Sequence, residues 1–127
     1  AYYDCDKKRF FFSEDNRVDT ELANALCVLC DIAPPQDAKD ICRALADGEM
    51  DACTLSMRVF KYDALLKTDC GQYARTVLDE IRRDYSKMLD AGSTTVWETM
   101  EGAAAFSEAG SLCHGWSAVP AYYFRRL

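Results

Sequence analysis

Two short stretches hold the side chains best suited to chemistry. Residues 93–98 read Ser-Thr-Thr-Val-Trp-Glu, and residues 111–116 read Ser-Leu-Cys-His-Gly-Trp. Each sets an ionisable group, Glu98 or His114, close to a tryptophan, Trp97 or Trp116. An aromatic face packs against the apolar C–H face of a sugar, while carboxylate and imidazole hydrogen-bond its hydroxyls. A carboxylate beside an indole also loses hydration, which makes it a stronger base. The ordinary alternative makes Trp97 and Trp116 core anchors. In it Glu98 is a first-turn carboxylate favoured by a helix dipole, and His114 is a buried, satisfied histidine.

Both stretches fall in links between helical patterns, and links on a rigid scaffold are where sites usually sit. Leu22, Leu26 and Leu29, with Ala25 and Cys30, are spaced for one helix face. Pro34-Pro35 stops that helix and opens a second, in which Ala38, Ile41, Cys42 and Leu45 form a stripe and Gly48 ends the run. After a loop at 49–53, a third helix is expected from about Thr54 to Lys67, with Val59, Phe60, Leu65 and Leu66. Gly71 punctuates. A fourth follows from about Gln72 to Leu89, with Val77, Leu78, Ile81, Tyr85, Met88 and Leu89 on one face. Its other face carries Asp79, Glu80, Arg82, Arg83 and Lys87. A last helix begins near Leu112 and carries Trp116, Val119, Tyr123 and Leu127, with a kink expected at Pro120. Residues 1–18 mix aromatics and charge without a period and read as an irregular entry segment. No segment shows convincing strand alternation. The expected class is all-α, as stacked αα-hairpins in an α/α toroid.

A chain of 127 residues fits one domain or part of one, and it buries roughly two-thirds of its unfolded surface without needing disulfides. The net charge of −6 argues against nucleic acid or an anionic membrane as partner, since both call for a basic patch. No apolar run reaches the ~18 residues of a membrane span, and no signal-peptide core is visible. The seven cysteines are odd in number and irregular in spacing. Cys27-Val28-Leu29-Cys30 is a C-x-x-C, yet it lies inside a helical apolar pattern in a chain with one histidine. Free thiols in a reducing, cytoplasmic compartment are the expectation, ahead of a zinc or redox site. No metal or cofactor is implied.

Taken together, STTVWE after Leu-Asp-Ala-Gly, and SLCHGWSAVPAYYF beyond it, resemble the C-terminal part of the catalytic domain of bacterial α-L-rhamnosidases and their relatives. These are six-hairpin glycosidases built on an (α/α)6 toroid. The resemblance runs from about residue 17 to residue 127. Thr54–Tyr62 falls where such enzymes place a pocket-facing loop before an inner helix. Arg58 and Phe60 there reach toward the pocket or, on the ordinary reading, are an exposed helix residue and a core residue.

The resemblance implies a carbohydrate substrate and an inverting mechanism. Glu98 is then the general base that activates water, roughly 6.5–9.5 Å from a general acid. Trp97 shapes the wall of the sugar site, His114 hydrogen-bonds a sugar hydroxyl, and Trp116 packs nearby or contacts the sugar. Thr95 orients the Glu98 loop or, equally, caps a helix. The family's general acid belongs to an earlier acidic motif, and Asp4, Asp6, Glu14 and Asp15 lack its pattern. Five or so helices do not close a ring of twelve. The chain is therefore expected to be a single partial domain, 1–127, from the C-terminal portion of such an enzyme. Alone it should hydrolyse little. Faces meant for the remainder of the toroid would be left exposed, so a homodimer or poor solubility is expected. The reading from a different class is a non-catalytic helical protein-interaction module, with its tryptophans in the core.

Overall fold

The computed structural model describes residues 2–127. Residue 1, part of the expected irregular entry, lies outside the described residues. The chain is mostly helical and groups into two compact units. The first takes residues up to Cys53 together with Val59–Tyr73. The second takes Thr54–Arg58 and Ala74–Leu127.

The first unit opens with a feature the sequence reading did not expect, an antiparallel hairpin of β1 (Tyr2–Asp4) and β2 (Arg9–Phe11). Three-residue strands are too short to show alternation. They are held instead by cross-strand pairs: Tyr2 stacks on Phe11 with ring centroids 5.8 Å apart, and Tyr3 meets Phe10 at 4.9 Å. Asp4 Oδ1 closes the turn by accepting the backbone N–H groups of Asp6 and Lys7, each at 3.0 Å. Buried Asn24 ties β2 to the helices. Its Oδ1 accepts from Phe10 N at 2.9 Å and its Nδ2 donates to Phe10 O at 2.7 Å, so an amide completes the strand's pairing.

Helix α1 (Glu21–Leu29) starts where Thr20 Oγ1 accepts from Ala23 N at 3.2 Å. Helix α2 (Pro35–Asp47) places proline in its first turn and ends at Gly48, whose φ of 70° is the left-handed cap that glycine supplies without strain. Ala25, Ile41, Cys42, Leu45, Leu65 and Leu66 are buried as expected, but Leu26 and Cys30 of the first stripe are exposed, and Cys27 and Val28 fill the core in their place. Glu21 and Lys61 are buried with them and pair at 2.7 Å; Glu21 also accepts Cys53 N at 3.1 Å.

The third and fourth expected helices are both present, as the two halves of α3 (Arg58–Asp90, 33 residues), which break at Asp69. Asp69 leaves helical geometry (φ −158°, ψ 95°), and its Oδ1 caps the next segment by accepting Gln72 N at 3.0 Å. The break thus falls before Gly71, because aspartate can satisfy an orphan N–H and glycine cannot. Val77, Ile81 and Met88 are buried as expected, whereas Leu89 is exposed and Glu80 is not.

The rest of the second unit is short turns and two short helices. One 3₁₀ turn, Leu55–Met57, precedes α3; others lie at Gly102–Ala104 and Gly115–Ser117. The short α4 (Ala105–Glu108) holds Phe106, Ser107 and Glu108 in the left-handed region. Helix α5 (Val119–Arg126) has Pro120 in its first turn, so proline starts this helix rather than kinking it. Of the expected last stripe, Val119 and Tyr123 are buried, but Leu112 and Trp116 precede the helix and are exposed. No helix among the described residues is long and apolar enough to cross a membrane.

Candidate functional site

The second unit brings the two chemistry-bearing stretches side by side. His114 N donates to Val96 O at 2.8 Å, and Glu98 N donates to Ser111 O at 2.9 Å. The Thr95 hydroxyl donates to the Leu112 carbonyl. In return Ser111 N donates to Glu98 Oε2 at 3.3 Å, across 13 positions of sequence. The stretches therefore run antiparallel, and the chain between Glu98 and Ser111 leaves and re-enters through a narrow neck.

Gly110 is needed at that neck. A Cβ there would lie 2.0 Å from the Gly102 carbonyl oxygen and 2.9 Å from Ala105 Cβ, distances no larger residue survives without backbone movement. Trp97 closes the same region. Its ring edge packs over Gly102, where an added Cβ would meet the indole at 3.1 Å, and its Nε1 donates to Ser93 Oγ at 3.0 Å. Ser93 Oγ in turn donates to Thr95 O at 2.8 Å.

Each expected site residue now has a place. Glu98 is half-buried, in a turn and not in the first turn of a helix, so the helix-dipole reading of its carboxylate does not apply. Thr95 caps no helix; it laces the two stretches. His114 is half-buried, and its ring lies 5.3 Å from that of Trp116. Trp116 is 81% exposed and so is not a core anchor, while Trp97 is half-buried. An exposed indole beside an imidazole offers solvent a flat apolar face next to one hydrogen-bonding group.

Sequence reading missed the residues that hold this arrangement. Leu55 N donates to the Glu98 carbonyl oxygen at 3.3 Å, so the Leu55–Met57 turn supports Glu98 from behind. The next residue, Arg58, is buried, contrary to its reading as exposed. It pairs with Asp84 and, at 3.4 Å, with Glu80, both buried as well. Arg83 adds bonds to Asp84 at 2.7 and 3.1 Å. Burial alone would raise the Asp84 carboxyl, but the bonds from Arg83 and Arg58 hold it below the usual carboxylate range. A signal for this cluster was present. Glu80 and Asp84 share the helix face of Val77, Ile81 and Met88, and a carboxylate in an apolar stripe calls for a buried cation. Phe60, the other residue of that stretch, is half-buried.

On the far side, Tyr85 OH donates to Ser117 O at 2.6 Å, and Ser117 N donates to His114 O at 2.9 Å. Burial pushes the Tyr85 phenol up to about 12, so it stays a donor above pH 10, where an exposed tyrosine ionises. An apolar groove of about 450 Å³ runs along Thr94–Val96, walled by Tyr85, Met88, Leu89 and Phe124. Glu98, His114 and the two tryptophans do not line it.

The C-x-x-C divides in the first unit: Cys27 is buried and Cys30 exposed, and both are free. Burial raises the Cys27 thiol, the reverse of what a thiolate redox motif uses. Among the described residues no group of three or more His, Cys, Asp or Glu side chains is arranged to hold a metal ion. Compared with protein-family profiles, curated proteins and solved structures, the chain matches none significantly.

Proposed function

We propose that this chain is the C-terminal portion of the catalytic domain of an α-L-rhamnosidase-like glycoside hydrolase, part of an (α/α)6 toroid. The reading rests on the resemblance carried by residues 93–98 and 111–116. It is supported by one observation: those stretches are laced together by four hydrogen bonds, two of them made by Glu98 and Ser111 with each other. In this reading Ser111 N–H fixes one carboxylate oxygen of Glu98, and the other accepts the proton of the attacking water. Trp116 offers its face to the C–H face of the sugar, His114 binds a hydroxyl beside it, and Trp97 walls the site. Thr95 keeps the two stretches in register. The general acid comes from the remainder of the parent enzyme, so the 127-residue chain alone leaves the glycosidic bond intact.

Titration with L-rhamnose, read by tryptophan emission, tests this. A saturable change is expected in the wild-type chain and should vanish in Trp116→Ala. A flat wild-type trace at saturating sugar overturns the reading. The apolar groove, with Leu89 73% and Phe124 50% exposed, favours a second reading, a helical interaction module or self-associating fragment. A flat sugar trace combined with concentration-dependent sedimentation supports that second reading.

A further inference from the structure

Two consecutive residues of α3 reach the two halves of the candidate site by separate routes. Asp84 is buried and binds Arg58, the residue that ends the Leu55–Met57 turn, and that turn donates Leu55 N–H to the Glu98 carbonyl. Tyr85 donates to Ser117 O, and Ser117 N–H holds the His114 carbonyl. The Leu55–Met57 and Gly115–Ser117 turns also pack on each other. All of these residues belong to the second unit.

Physical cost makes this arrangement informative. Burying Arg58, Asp84 and Glu80 takes three charges out of water, and well-packed apolar residues of similar volume are often as stable or more so. What an apolar core cannot do is fix direction. A charge-assisted pair and a phenol-to-carbonyl bond set one geometry for the turns they hold.

We infer that Asp84, acting through Arg58, and Tyr85, acting through Ser117, are positioning residues that set Glu98 and His114 relative to each other. The inference deepens the proposed glycosidase function, and its role in sugar binding rests on that reading. The geometry itself is testable without sugar. Neither residue is placed against substrate, so neither is a catalytic residue.

The sequence supplies natural reporters, because His114 is the sole histidine and Trp97 and Trp116 are the only tryptophans. Their ring signals in NMR spectra of the full chain report each half of the site separately. Tyr85→Phe removes one hydroxyl and keeps the ring. It should move the His114 and Trp116 signals while leaving the Trp97 indole in place. Asp84→Asn weakens the grip on Arg58 and should move the Trp97 indole first. If that variant fails to fold, Arg58→Lys, which keeps the charge but loses the planar fork, serves the same purpose. Reporters that stay put in a folded Tyr85→Phe protein overturn the inference. So does an equal shift of all three in both variants, which would mark general loosening. Rhamnose affinity should fall about fivefold in Tyr85→Phe, the scale of one hydrogen bond. Unchanged affinity with the wild type binding normally also counts against the positioning role. A wild type that binds no sugar sinks the glycosidase reading and leaves positioning to be decided by the ring signals.

Discussion

Glu21 and Lys61 in the first unit, and Arg58 with Asp84 and Glu80 in the second, are buried ion clusters with different attachments. Glu21 and Lys61 join α1 to α3, helix to helix, inside a core of Ala25, Ile41, Leu45 and Leu65. Arg58 joins α3 to a 3₁₀ turn that carries no apolar stripe and holds the backbone of Glu98. In the first unit the charges add to elements already fixed by periodic burial. In the second they add direction to a core of Leu55, Val77, Ile81 and Tyr123, because one buried leucine anchors a three-residue turn without orienting it. The comparison teaches where polar chemistry is structural and where it sets a site.

Breaking the first cluster should have the largest effect. Lys61→Met strands a buried Glu21 carboxylate and should cost about 3–5 kcal/mol in chemical denaturation. Adding Glu21→Leu should recover most of that loss and leave the His114 and Trp116 signals unchanged. Failure to recover would mean the pair does more than bridge helices. Next comes Gly110→Ala, where the new methyl meets the Gly102 carbonyl at 2.0 Å. About 1–3 kcal/mol of destabilisation is expected, with faster amide exchange confined to residues near the Glu98–Ser111 neck.

The second unit should also lose support at both pH extremes. The Asp84 carboxyl is held below its unfolded value, so its contribution is present above about pH 4 and lost as pH falls through the depressed pKa. Tyr85 is raised from 10.0 to about 12, so its contribution is full below pH 10 and lost as pH rises toward 12. Difference melts of wild type against Tyr85→Phe across pH 9–12 isolate the second effect. The gap between the two should close as pH rises. A constant gap would place the stabilisation elsewhere.

Smallest in stability is Trp116→Ala, expected within about 0.5 kcal/mol of wild type, because 81% of the residue already faces solvent. A large loss there would return Trp116 to the core and remove the sugar platform from the proposed site.

Much of the first unit was legible before folding. A 3.6-residue period, the Pro34-Pro35 punctuation and Gly48 locate α1 and α2, since each acts within a turn or two of itself. The hairpin at 2–11 was not legible, because three-residue strands have no period to read and depend on Tyr2–Phe11 and Tyr3–Phe10 meeting across the turn. The candidate site was legible as residue types only. Glu98, Trp97, His114, Trp116 and Thr95 stand out by chemistry, but neither the lacing by Ser111 nor the support from Leu55 has a local signature.

The amino-acid order by itself determined the helical class, the acidic surface balance and which side chains are fit for chemistry. All three follow from composition and short-range spacing. Tertiary structure alone decided that Arg58 is buried, that Trp116 is exposed and that residues 95–98 pair with 111–114. Those outcomes depend on contacts between residues far apart in the chain, where hydration, charge pairing and backbone hydrogen bonding are settled together.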